Sequence, residues 1–193
     1  MGPLSLKVEE RYSYGDYLTW DDDQRWELID GIPYSISPGP NRRHQEISME
    51  LSAQIHSYLR GKPCKAYHAP FDVRLPEDDE SDDETFTVVQ PDLVVVCDQD
   101  KLDDKGCRGA PDLVVEILSL TTSGRDLKLK LDLYEQRGVR EYWVIDPAGQ
   151  TVMVFSLVGE RRYGRPKVYT RDDTAPVGIF PDFDIDLCTV FAA

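Results

Sequence analysis

Two stretches of the chain are apolar at successive positions rather than at alternate ones: Val88–Val96 and Asp112–Leu118. Short valine-rich runs of this kind predict central strands buried on both faces. Each run carries one acid inside it, Asp92 in the first and Glu116 in the second. Pro91 predicts a bend or bulge in the first strand, because proline cannot donate to the ladder. Glu141–Asp146 is a third strand of the buried type. Elsewhere the period lengthens. Ile47, Leu51, Ile55 and Leu59 recur every four residues and predict a long helix, beginning after Pro38 and Pro40 and capped at Gly61. Leu127, Leu131 and Tyr134 form the stripe of a second helix, from Asp126 to Arg137, stopped by Gly138. Ser13 caps a short helix reaching about Trp20, and Trp26–Ile36 reads as a hairpin turning at Asp30-Gly31. Further strands are expected at residues 66–75 and 183–187, with an outer hairpin from 151–157 and 162–170. Helices interleaved with a mixed sheet predict one α/β domain with an extra β-hairpin.

Composition narrows the class. The chain has 193 residues, with 40% hydrophobic and 30% charged, which suits one globular domain. No apolar stretch approaches the roughly 20 residues of a membrane span, and the first residues lack the features of a secretion signal. A cytoplasmic location is expected. Cys64, Cys97, Cys107 and Cys188 contain no Cys-x-x-Cys pair, so reduced thiols are expected rather than a zinc site or disulfides. His44 and His56 fall roughly 120° apart around a helix and do not share a metal. The net charge of −14 argues against a generic nucleic-acid binder. Seven acids lie in Glu77–Glu84, a run expected to be a solvated, mobile loop.

The candidate chemistry begins with the cost of burying a carboxylate. An ionised group in an apolar strand needs a partner or a metal. Asp92 and Glu116 on neighbouring strands are placed to converge on one ion, and Mg²⁺ is held by one or two carboxylates while keeping several waters. Asp112 lies four residues before Glu116, about 13 Å along the same strand, too far to share that ion. It marks the strand's start instead. On the following helix Lys130 falls beside the apolar stripe and faces the protein body. Lys128 falls with Asp132 and Glu135 on the polar side. Two strand-borne acids and an inward lysine are the parts of a phosphodiester-cleaving site.

The ordered set Trp26-Glu-Leu-Ile-Asp-Gly31, Arg43-His44, Gln90-Pro-Asp92, Ala110-Pro-Asp-Leu-Val-Val-Glu-Ile-Leu-Ser119, Arg125-Asp126, Lys130-Leu131, Tyr134 and Glu141-Tyr-Trp-Val-Ile-Asp146 resembles the Uma-two family. Its members are described as restriction-type endonucleases of the PD-(D/E)XK nuclease superfamily. The resemblance implies a restriction-endonuclease-like fold, a DNA substrate, and Mg²⁺ or Mn²⁺ as cofactor. Asp92 would match the aspartate of the superfamily pattern and Glu116 its second acid, with the carbonyl of Ile117 as a further ligand. Leu118 stands where the superfamily's lysine is expected, and Lys130 matches the place to which the family moves it. Glu27, His44 and Gln90 match supporting positions. Cutting both strands calls for two active sites, so a homodimer is expected.

Structural alternatives stand beside each role. Glu116 can pair with Lys130 as a buried ion pair, Asp92 can cap a turn, and Lys130 can be spent on Asp126 one helical turn earlier. His44 can be a surface residue and Glu27 the solvent face of a hairpin. The cluster Arg161, Arg162, Arg165 and Lys167 can be an exposed turn or a patch meeting a phosphate backbone. A non-catalytic binding or regulatory module on the same fold is the alternative to an enzyme.

Overall fold

The computed structural model describes residues 10–21, 24–36, 39–77, 80–119, 124 and 126–192. In chain order the elements are α1 (Tyr14–Tyr17), β1 (Trp26–Ile29), β2 (Ile32–Ser35), α2 (Arg42–Leu59), β3 (Lys65–His68), β4 (Val73–Arg74), β5 (Val88–Val89), β6 (Leu93–Val96), β7 (Leu102–Asp103), β8 (Gly106–Arg108) and β9 (Leu113–Ile117). A π-helical turn, Asp126–Lys130, then runs into α3 (Leu131–Arg137). Last come β10 (Glu141–Asp146), β11 (Thr151–Ser156), β12 (Lys167–Thr170), β13 (Thr174–Pro176), β14 (Asp184–Asp186) and α4 (Leu187–Val190).

The protein is mixed α/β, but among the described residues its strands divide between two six-stranded sheets and a two-stranded ribbon. The first sheet is ordered β2-β1-β5-β4-β8-β7 and the second β12-β11-β10-β9-β6-β3. Prolines make the division. Residues 66–75 were expected to be one strand, yet β3 and β4 belong to different sheets, with Ala69-Pro70 between them. Residues 86–97 divide the same way: β5 joins the first sheet and β6 the second, on either side of Pro91. A residue without an N–H cannot continue a ladder, so the chain leaves one sheet there and enters the other. The hairpin β7–β8 was not foreseen.

The second sheet is the centre of the molecule, and the parity of its strands explains its two faces. Leu93, Val95, Leu113, Val115, Ile117, Trp143 and Ile145 meet Ile47, Leu51 and Ile55 of α2. Val94, Val96, Val114, Tyr142 and Val144 meet Leu133 and Tyr134 of α3 and Ile29, Val73 and Val89 of the first sheet. Strands β9 and β10 are parallel, so they need a crossover. The described part of that connection carries the π turn and α3 over the second face. Among the described residues no helix is long and apolar enough to cross a membrane.

Two expectations are corrected. Cys64 and Cys97 form a disulfide. They stand just outside the Lys65↔Val96 pair of β3 and β6, so the antiparallel register makes them cross-strand neighbours; their separation of 33 residues hid this. The acidic run also does more than meet solvent. Asp82 and Asp103 together hold the guanidinium of Arg74, whose side chain is wholly buried, and Glu77 accepts from Arg137 at 2.6 Å. Buried Arg74 needs its charge compensated, and the loop provides an acid.

Candidate active site

Glu116 lies on the same side of β9 as Val114, toward the crossover helix. It is buried, and its Oε1 accepts from Lys130 Nζ at 2.8 Å and from the Tyr134 hydroxyl at 2.8 Å. Lys130 and Tyr134 are one turn apart, so one helix face presents both donors. Lys130 Nζ also donates to Glu27 Oε1 at 2.9 Å. Glu27 reaches this place from the first sheet. It shares a side of β1 with Ile29, which lies in the core between the sheets, and the Gln90 amide donates to the same Oε1 at 2.8 Å. The ammonium therefore joins a carboxylate from each sheet.

Asp92 stands at the entry to β6, where Pro91 has ended the preceding strand. Its Oδ2 accepts from the Ile117 amide at 2.7 Å and lies 3.1 Å from His44 Nε2. The N-cap of α2 explains why His44 is there: Asn41 Oδ1 accepts from the His44 amide, which sets the first turn against the sheet end. Gln90 completes the surroundings. Its Oε1 accepts from Arg25 at 2.7 Å, and its Nε2 donates to Asp72 at 2.8 Å and to the Tyr17 hydroxyl at 3.2 Å.

Charge decides the character of the cluster. Two buried acids, Glu27 and Glu116, share one lysine, and a third, Asp92, lies close enough to act on Glu116. Burial pushes the Glu116 carboxyl well above the usual carboxylate range; Lys130 opposes this, while Asp92 and Glu27 push it further up. Burial likewise raises the Tyr134 hydroxyl, with Glu116 and Glu27 adding to it, so Tyr134 stays a donor. The Asp72 carboxyl is also raised by burial, against the hydrogen bonds from Gln90 and Tyr14.

The donor set fits a hard divalent cation. Asp92 and Glu116 each give one oxygen to protein donors. Asp92 Oδ1 and Glu116 Oε2 accept no hydrogen bond among the described residues. Asp92 is close enough to raise the cost of ionising Glu116, and a cation would remove that cost. Among the described residues no three His, Cys, Asp or Glu side chains are grouped to hold a metal by themselves. Two carboxylates with a carbonyl and waters is the arrangement typical of Mg²⁺.

The structure brings together Asp92, Ile117, Glu116, Lys130, Glu27, His44 and Gln90. Lys128 is exposed, as its helix face required. Asp112 is apart from them, at the start of β9, accepting from the Cys97 amide and from Arg140. Three structural alternatives are corrected or completed. His44 is not a surface residue, because Asp92 and the sheet end cover it. Glu27 does not face solvent, because the first sheet stacks that face on the second. Glu116 does pair with Lys130, and with Tyr134 as well. The Arg125 and Asp126 side chains lie outside the described residues, so the Lys130–Asp126 pairing does too. Sequence reasoning overlooked the Tyr134 hydroxyl, Asp72 and Arg25. The signal for Tyr134 was its spacing of four from Lys130.

A family model described as "Uma2: Putative restriction endonuclease" matches residues 14–188. A Synechocystis sp. protein named "Uncharacterized protein slr1290" is 30% identical over 121 residues. That match spans 62% of this chain and 60% of the relative's length. A solved structure from Anabaena variabilis, titled a putative nuclease belonging to DUF820, is similar with a TM-score of 0.73 at 21% identity. That likeness covers 93% of this chain and 97% of the other, and it concerns the fold.

Proposed function

The chain belongs to the Uma2 family, and on that premise we propose that it is a Mg²⁺-dependent endonuclease hydrolysing DNA phosphodiester bonds. One observation carries the reading: acids from both sheets converge with a single buried lysine, at the point where Pro91 sends the chain from one sheet to the other.

Asp92, Glu116 and the Ile117 carbonyl would hold the ion, with Mn²⁺ as a substitute. When bound, it neutralises phosphate oxygens and lowers the pKa of a coordinated water. The chain's own residues do the positioning. His44 and the Ile117 amide fix Asp92, and Tyr134 fixes Glu116. Glu27 and Glu116 hold the Lys130 ammonium at the edge of the cluster, where it orients the attacking water or meets developing phosphate charge. Gln90 anchors Glu27 through its amide.

Plasmid DNA incubated with Mg²⁺ or Mn²⁺, beside a Glu116→Ala variant, tests this. Nicking by the wild type and loss in the variant is the expected result; equal nicking by both would assign the activity to a contaminant. A second reading, a non-catalytic module, draws on the closed pairing of Lys130 with both glutamates and on the acidic net charge of −14. It requires that Mn²⁺ fail to bind, so calorimetric binding lost in Asp92→Ala would exclude it. A pair of such chains would cut both strands, and sedimentation equilibrium reads whether they dimerise.

A further inference from the structure

One positive charge at the acid cluster's end of the molecule is left without a counter-charge. Four described arginines are at least partly buried: Arg25, Arg43, Arg74 and Arg137. Gln90 holds Arg25, Asp82 and Asp103 hold Arg74, and Glu77 holds Arg137. Arg43 makes no hydrogen bond and no ion pair among the described residues, yet its Nε is buried. The guanidinium is therefore held against the protein and partly stripped of water. That state is costly unless an anion shares it. The chain has 36 acids against 22 lysines and arginines, so the missing partner does not reflect a shortage of carboxylates.

Helix geometry places this charge. Arg43 lies in the first turn of α2, which is 18 residues long. The next residue, His44, sets Nε2 3.1 Å from Asp92 Oδ2, so α2 begins at the end of the sheet where the acids lie. The Leu93↔Val115 pair brings the entry of β6 beside the end of β9 at that place. Arg43 stands one turn before Ile47, which packs on the sheet. Side chains on a helix lean toward its N-terminus, so the arm of Arg43 projects toward that same end.

We propose that Arg43 is a phosphate clamp: its guanidinium binds the two non-bridging oxygens of a DNA phosphodiester beside the cation site. The inference rests on the nuclease reading of the acid cluster and names how that site grips its substrate. The planar fork of a guanidinium matches a pair of phosphate oxygens. Asp92 and Glu116 are engaged by the Ile117 amide, His44, Lys130 and Tyr134 rather than by Arg43. Lys130 is shared between Glu27 and Glu116, whereas Arg43 is uncommitted. The positive end of the long α2 helix adds to the attraction for an anion. Such a clamp answers the net charge of −14: the molecule as a whole repels a nucleic-acid strand and attracts it locally, next to the bond to be cut.

A phosphate contact has a signature that a packing role lacks. Each phosphate neutralised by a protein cation steepens the fall of log K with log salt by about 0.9. Binding of a fluorescein-labelled DNA duplex is followed by anisotropy across a salt series, with Ca²⁺ filling the cation site. Arg43→Met keeps the apolar stem and removes the charge. It is expected to weaken binding about tenfold at low salt and to lessen the slope by about 0.9. Arg43→Lys keeps the charge and loses the fork, and is expected to retain the wild-type slope with intermediate affinity. Mn²⁺ affinity, read by calorimetry, is expected to be unchanged in both, because Arg43 touches the phosphate and not the ion. An unchanged slope in Arg43→Met would overturn the clamp. So would a loss of DNA affinity matched by a loss of Mn²⁺ affinity, which would show Arg43 acting through His44. Either result in a protein that still cuts DNA leaves the nuclease reading standing. The clamp signature in a protein that cuts nothing under Mg²⁺ removes that reading alone, and a wild type that binds no DNA removes both.

Discussion

Lys130 Nζ lies 2.9 Å from Glu27 Oε1, across 103 residues of chain. The two side chains come from the crossover helix and from a strand of the other sheet, and the bond ties both to Glu116. Because all three are buried, removing the lysine leaves two acids without their counter-charge. Lys130→Met is expected to cost about 3 kcal/mol, the range for breaking a buried pair from one side. Urea unfolding reads this, and a variant as stable as wild type would show that the ammonium compensates neither acid.

His44 touches Asp92 but, in the proposed site, not the cation. Partners that orient a ligand from behind tune metal affinity by about 10- to 100-fold. His44→Ala is therefore expected to weaken Mn²⁺ binding within that range. Asn41→Ala is expected to weaken it less, through the loosened helix cap. Calorimetry measures both, and undiminished affinity in His44→Ala would remove His44 from the site's support.

The Arg74 pair gives a pH signature. Burial works to raise the Asp103 carboxyl, but the Arg74 hydrogen bond, the Lys105 amide and the Arg74 charge outweigh it and hold it below its ordinary value. A depressed folded pKa contributes stability that is fully present above the ordinary value of about 3.8. It is lost as the pH falls through the folded value. Asp103→Asn is expected to lower the melting temperature at neutral pH and to flatten its fall below about pH 4. Parallel acid limbs in wild type and variant would contradict the assignment.

Gly106 probes the support under Gln90. Its φ is +131°, and an added Cβ would sit 2.2 Å from the Asp72 carbonyl oxygen. Asp72 in turn accepts from Gln90 Nε2. Gly106→Ala is expected to destabilise by about 3 kcal/mol, combining backbone strain with displacement of the Asp72 segment. An unchanged melting temperature would show that the close approach is relaxed in solution.

Much of this was legible in the chain because it depends on period. Burial on both strand faces marks β6, β9 and β10, four-residue spacing marks α2, and the angle of Lys130 against Leu127, Leu131 and Tyr134 points that lysine inward. A carboxylate in such a strand is conspicuous without coordinates. Pro91 announced a bend, though not the change of sheet, and Asp30-Gly31 a tight turn, because both are local restrictions on φ and on donors.

What the chain alone left open is what depends on stacking two sheets. Glu27 alternates with its neighbours as a solvent-facing residue would, and only the first sheet folding over the second buries it against Lys130. Cys64 and Cys97 become neighbours only through the register of β3 with β6. His44 meets Asp92 because a helix on one face and a strand end on the other stop at the same edge. Local sequence sets which side of its own element a residue faces; which distant side chain waits there is set by how the elements pack, and that is a sum over the whole core.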